Sequence, residues 1–360
     1  MASEVVKKKS LRVALIASEH TVREYSASLK LLLVGLADES VPTVLICPPG
    51  CDSESMFTGS AEVISHPALD LPLSEHLNIR LLAQRLAKFE PTVLHCLCEG
   101  KASLARQLAR RMDLPYVLTV NSVQGRLEQF SVSPRRCKRI IVPAKTIADN
   151  MAKTHQGFAE RIEQINIGTF VAETCGCFTH PGRIATIVTA HPFDDANDFE
   201  NLFGVLRHLL IDGYEFMVVV AGDGRAERHL WKLLTALSLL QVVTMVPRLK
   251  PWRSVLAAGD IFIRPQPRLA FDPSLLEAMS VGAAVAGCKG GVDDLIVEDR
   301  MAVVFDPKDE LSMLRCLQKL LGKREFARQI ARNAQEYLRE NHAAGNMISA
   351  TIQAYHNAQG

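Results

Sequence analysis

No apolar run in this sequence approaches the ~18 residues that a membrane span requires, and no C-x-x-C pair occurs among its cysteines. The cysteines number nine, an odd count. Only Cys96/Cys98 and Cys175/Cys177 stand close together, both as C-x-C. That pattern excludes a zinc framework and a disulfide scaffold. Cys47 and Cys96 sit inside apolar runs, where a thiol behaves as a small hydrophobe. Excess charge is also nearly absent: 41 Lys and Arg face 39 Asp and Glu, a net charge of +2. A balance of this kind does not mark a nucleic-acid binder. The basic cluster Lys7–Lys9 reads as a solvated tail, with weak contact to an anionic inner-membrane surface as the alternative. No apolar stretch of signal-peptide type follows it. Low-complexity tracts and internal repeats are missing as well. These absences together describe a reduced, cytoplasmic, globular protein.

The 360 residues are enough for about two domains at ~150 residues each. With 48% apolar and 22% charged residues, a sizeable core forms without crosslinks. Short apolar runs alternate with segments of helical period. Strands are expected at 11–17, 42–47, 61–65, 92–97, 115–120, 139–143 and 161–166. Helices are expected at 24–37, 75–89, 101–112 and 145–154. Near-continuous apolar strands separated by helices argue for parallel sheets buried on both faces. The stretch 168–182, rich in Gly, Thr and Cys, breaks the pattern and reads as a boundary. Beyond it the alternation restarts, with strands at 183–190, 215–222, 241–246, 260–265, 283–287 and 302–305. Helices belong at 198–211, 225–239, 252–258, 273–281, near 292–297, and at 309–321, 324–341 and 346–357. The fold class is therefore α/β, with two Rossmann-like doubly wound halves. Ligands of such sheets bind beyond the carboxyl ends of the strands.

Two places could carry chemistry. Gly222-Asp223-Gly224 follows the strong strand VVVA, where glycines permit a sharp turn and close approach of a ligand to the backbone. The helix after it would present amides to a phosphate. The third glycine of a dinucleotide fingerprint is missing, so a plain strand-to-helix turn stands beside the functional reading. The second place is 260–296. Here Asp272-Pro273 forms a good helix start, and Glu277 stands in an otherwise apolar helix. Glu277 either faces solvent or accepts hydrogen bonds from ligand hydroxyls. Gly290-Gly291 offers another turn where amides could meet phosphate.

With this segment the sequence resembles the group-1 glycosyltransferases of GT-B fold, which are nucleotide-sugar-dependent and usually retaining. The resemblance spans most of the chain and is strongest over 183–340. It implies an N-terminal acceptor-side domain over 1–170 and a donor-side domain over 171–345. A last helix, within 346–360, would cross back to the first domain. Glu277 matches the second glutamate of the family's E-x7-E element, which implies a contact to the donor ribose. Gly222 and Gly224 match strand-end glycines, and Gly290, Gly291 and Asp294 match a stretch beside the donor phosphates. The sequence departs from the family at Leu269, where the first glutamate belongs, and at Asn121, where a histidine is usual. Neither Lys nor Arg occurs over 191–197, where two diphosphate-binding cations belong. The loop SEHTVREYS lacks the family's glycines.

Arg264, Arg268 and Lys289 are candidate replacement cations, each with a surface-charge reading beside it. Asp272 could stand near the transferred sugar, although its helix-cap role alone explains it. His95 is either structural or an acceptor-side catalytic group, and His20 is a possible acceptor contact. Trp231 and Trp252 read as packing residues. No metal-ligand spacing and no resident cofactor are evident. The expected function is transfer of a hexosyl-type sugar from a UDP- or GDP-sugar to a glycan, lipid or small molecule, without a metal. The alternative is an inactive GT-B scaffold serving as a binding or partner subunit.

Overall fold

The computed structural model describes residues 10–51, 61–67, 75–125, 132–180, 182–247 and 252–360. The cluster Lys7–Lys9 lies outside the described residues. The chain divides into two compact units, one of residues 1–168 with 344–360 and one of residues 169–343.

In the first unit seven strands form one sheet: β1 (Val13–Ile16), β2 (Thr43–Cys47), β3 (Glu62–Ser65), β4 (Val93–Cys96), β5 (Tyr116–Thr119), β6 (Cys137–Val142) and β7 (Ile162–Gln164). Their order is β3-β2-β1-β4-β5-β6-β7, and every neighbouring pair is parallel. Every residue of β1, β2 and β4 is buried, as layers on both faces require. The helix Ala344–Gln359 belongs to this unit and packs on the helix Ser26–Asp38. A Cβ on Gly35 would stand 2.3 Å from Ile348 Cδ1, so the two helices approach where the side chain is smallest.

The second unit holds β8 (Ala185–Ala190), β9 (Phe216–Ala221), β10 (Val243–Val246), β11 (Ile261–Arg264), β12 (Ala284–Cys288) and β13 (Val303–Phe305). Their order is β10-β9-β8-β11-β12-β13, again all parallel. This is the 3-2-1-4-5-6 order of a doubly wound Rossmann-like sheet. Its core joins Phe199, Leu202, Phe203 and Leu206 of the helix Asn197–Ile211 to Ile187, Val218 and Ile263 of the sheet. The segment after residue 168 is strapped along this unit. Ala172 N–H donates to Ser280 O, Gly176 N–H to Val281 O and Cys177 N–H to Gly282 O. Buried Asp260 accepts from Phe178 N–H and Thr186 N–H with its two oxygens.

Three expectations change. The helix expected over 24–37 spans Ser26–Asp38, and an unexpected short helix, Glu19–Glu24, precedes it across Tyr25. Ser18 caps the short one by accepting from Thr21 N–H, so a polar start hides a turn that hydrophobic period alone does not reveal. No helix forms near 292–297. Gly290 and Gly291 take positive φ, and Asp293 spends its carboxylate on Gly290 N–H, which leaves too few residues to nucleate a helix. Trp252 is buried, but Trp231 is 42% exposed, because the helix Glu227–Ala236 buries only Leu230 and Leu234. No helix among the described residues is long and apolar enough to cross a membrane.

Candidate functional site

In an open α/β sheet the ligand crevice lies where the strand order reverses. In the second unit that point falls between β8 and β11. The loops leaving these strands, 191–196 and 265–272, and the first turn of the helix Asn197–Ile211 bring His191, Asp198, Arg268 and Asp272 together. His191 Nε2 lies 3.1 Å from Asp198 Oδ2, and its buried Nδ1 has no partner among the described residues. Burial, then the Arg268 charge, lowers its pKa against the pull of Asp198, so the ring is largely neutral near pH 7. Arg268 Nη1 lies 3.5 Å from Asp272 Oδ1.

Asp272 caps the helix Pro273–Ser280, accepting from Ser274 N–H and Leu275 N–H through Oδ1. Its Oδ2 is buried and has no partner among the described residues. A carboxylate oxygen in that state is an available acceptor inside the crevice. Of the eight residues in this helix, Glu277 alone is not buried. The apolar residues around it face the core, so the helix has only one side on which a carboxylate keeps access to solvent and ligand.

The glycines have distinct roles. A Cβ on Gly222 would stand 2.2 Å from His191 O, and one on Gly224 2.4 Å from Phe193 O. Phe193 N–H donates to Asp223 O, and Ala226 N–H to Phe193 O. Both glycines thus allow the 191–193 loop to close on the 222–226 turn; the space beside them is filled by the chain itself. Gly291, at φ +74°, lies against Arg268, whose carbonyl oxygen would be 2.1 Å from a Cβ there. That same oxygen accepts from Val292 N–H. Gly290, at φ +110°, would bring a Cβ to 3.3 Å from Pro267.

Arg264 does not lie on the surface. It is 1% exposed, the largest fully buried side chain among the described residues, and donates to Val292 O at 2.9 Å and Cys288 O at 2.6 Å. It fastens the loop that carries Gly290 and Gly291 to the end of β11. Lys289 is exposed and stands 3.9 Å from Glu298. Asp194 and Asp195 are exposed, and Leu269 is 65% exposed in the loop beside Arg268.

The first unit holds His95 at the centre of its sheet. Its Nδ1 meets Tyr355 Oη at 2.7 Å and its Nε2 meets Thr119 Oγ1 at 2.8 Å. Burial pushes its pKa down to about 3. Both nitrogens are engaged within the protein, so His95 braces the sheet against Tyr355 of the helix Ala344–Gln359. His95 belongs to the first unit, whereas Glu277 and Asp272 belong to the second. Asn121 Nδ2 donates to Leu97 O, while Asn121 N–H and Ser122 Oγ both donate to Glu99. Glu99 is thus a carboxylate at the carboxyl ends of β4 and β5 that the sequence analysis missed. His191 and its pairing with Asp198 were missed too. The only signal for His191 was its place directly after a strand.

Two all-parallel doubly wound units of this size in one chain define the GT-B architecture. Residues 180–337 match the model of the family described as glycosyl transferases group 1. This part of the chain is similar to that family, as a divergent match. A glycosyltransferase from Rickettsia africae ESF-5 superposes with a TM-score of 0.78 at 12% identity, over 97% of this chain and 99% of that one. The sucrose-phosphate synthase of Thermosynechococcus elongatus gives 0.76 at 15%, over 96% and 98%. Anabaena HepE, solved with UDP and glucose, gives 0.76 at 12%, over 95% and 98%. No curated protein matches the chain by sequence.

Proposed function

We propose that this protein moves a hexosyl-type sugar from a nucleotide-sugar, UDP-linked in preference to GDP-linked, to an acceptor hydroxyl, without a metal ion. The bond from the anomeric carbon to the diphosphate oxygen breaks, a bond from that carbon to the acceptor oxygen forms, and the acceptor proton passes to the departing diphosphate or to water. The observation that carries this reading is Glu277, the one residue of its helix left unburied, in the unit that matches the family. In the proposal its carboxylate accepts from the ribose hydroxyls. Arg268 faces the departing diphosphate, because preorganised charge on a leaving group is usually the largest catalytic contribution. Asp272 Oδ2 stands near the transferred sugar. Arg264 acts through the loop that it holds, and Lys289 approaches phosphate by leaving Glu298. UDP in the Anabaena neighbour supports the choice of base. Nine free cysteines, seven of them buried, support a reducing cytoplasmic setting.

A hydrogen bond to a charged group contributes about 1.5–3 kcal/mol. Glu277→Ala is therefore expected to weaken UDP binding roughly 10- to 100-fold, measured by titration calorimetry with and without a chelator. Unchanged affinity overturns the ribose role, and loss of binding in the chelator overturns metal independence. A second reading, a non-catalytic scaffold, is favoured by Asp194 and Asp195 in the 191–197 loop and by the inward Arg264. UDP release from UDP-sugars that disappears in Glu277→Ala excludes it.

A further inference from the structure

A cavity of about 80 Å³ lies inside the first unit, at the carboxyl ends of β4, β5 and β6, between the helices Ser26–Asp38 and Ala344–Gln359. Its walls are chiefly Leu29, Leu32, Ile141, Ile165, Ile167 and Met347. No Asp, Glu, Lys or Arg is part of the lining. Several polar residues that reach it already hydrogen-bond within the protein. Ser28 Oγ donates to Tyr25 O, Thr351 Oγ1 to Met347 O and Asn121 Nδ2 to Leu97 O. His95, also on the wall, is held between Tyr355 and Thr119 and stays neutral. Even Gly168 N–H at the edge donates to a soft partner, Met347 Sδ, at 3.1 Å. A charged occupant would lose its hydration here and meet no opposite charge. A polyol would bury most of its hydroxyls against aliphatic walls. An aliphatic chain loses nothing, and unbranched Met347 adapts to it.

We propose that this cavity binds the hydrocarbon chain of an uncharged aliphatic alcohol, held against Leu29, Ile141, Ile165 and Met347. On the glycosyltransferase reading that alcohol is the acceptor, but the binding site itself stands without it.

The probes are n-octanol and octanoate, which share chain length and differ in charge. Each is titrated calorimetrically, below its aggregation limit, into the full chain, with UDP as an independent ligand. Octanol is expected to bind at least tenfold more tightly than octanoate. Ser28→Phe, at a half-buried position on the rim, is expected to weaken octanol at least tenfold and to leave UDP affinity unchanged. Ile167→Asp is expected to do the same and serves if Ser28→Phe misfolds. Equal binding of the two probes, no octanol binding, or octanol binding that neither variant alters overturns the proposal. Failure of UDP alone to bind tells against the donor reading and leaves the cavity standing.

Discussion

His95 sets a pH dependence that can be read from its surroundings. Its pKa is about 3 in the fold against about 6.5 for a free histidine. Below pH 6.5 the unfolded chain takes up a proton that the native chain refuses, so stability falls as the pH drops. The slope is about 1.4 kcal/mol per pH unit down to the folded value. Between pH 6.5 and 5 the wild type is expected to lose about 2 kcal/mol through this residue, measured by urea denaturation. His95→Gln removes that share of the slope. His191 and His66, also lowered chiefly by burial, leave a smaller residue in the same direction. At Gly291 the backbone decides. Gly291→Ala places a Cβ against Arg268 O in a left-handed conformation and is expected to cost at least about 2 kcal/mol. The same variant is expected to weaken UDP binding, because Arg268 and the loop move together. The unburied position of Glu277 was legible in the sequence, since a lone carboxylate in an apolar helix has few places to go. Arg264 was not. Its position at a strand end is the same whether the guanidinium turns outward to phosphate or inward to two carbonyl oxygens.

At the scale of elements, packing between helices gives a sharper test than propensity. Gly35→Ala adds about 1 kcal/mol of helix propensity, but its methyl would lie within 2.9 Å of three Ile348 side-chain atoms. The substitution is expected to destabilise the wild type and to stabilise an Ile348→Ala background, a sign change that a double-mutant cycle of thermal unfolding detects. The strands were legible because buried parallel strands leave short unbroken apolar runs, as in VALI of β1 and TVLIC of β2. The helix Pro273–Ser280 was equally legible from Asp272-Pro273, which the structure uses as cap and first turn. Residues 292–297 misled because apolar content resembles a helix start when side chain Asp293 is already bonded to a glycine amide. Hydrophobic period reports which residues are buried, and it is silent on such local polar closures.

At the scale of the whole molecule, the division into units predicts how the protein melts. Two units with separate cores favour two calorimetric transitions, and UDP is expected to raise only the one that belongs to residues 169–343. Removing residues 344–360 takes away Tyr355 from His95, Gln359 from Thr92 and Met347 from the sheet core. The truncated chain is expected to lower the other transition and to leave the UDP-responsive one in place. The order of translation gives this arrangement a further cost. A ribosome adds about 5–20 residues per second, so on the order of ten seconds passes between the end of β7 and emergence of the helix Ala344–Gln359. Throughout that interval the nascent first unit exposes the greasy face that Tyr355 and Met347 will cover. Of the two units, it is the one that a chaperone would be expected to hold.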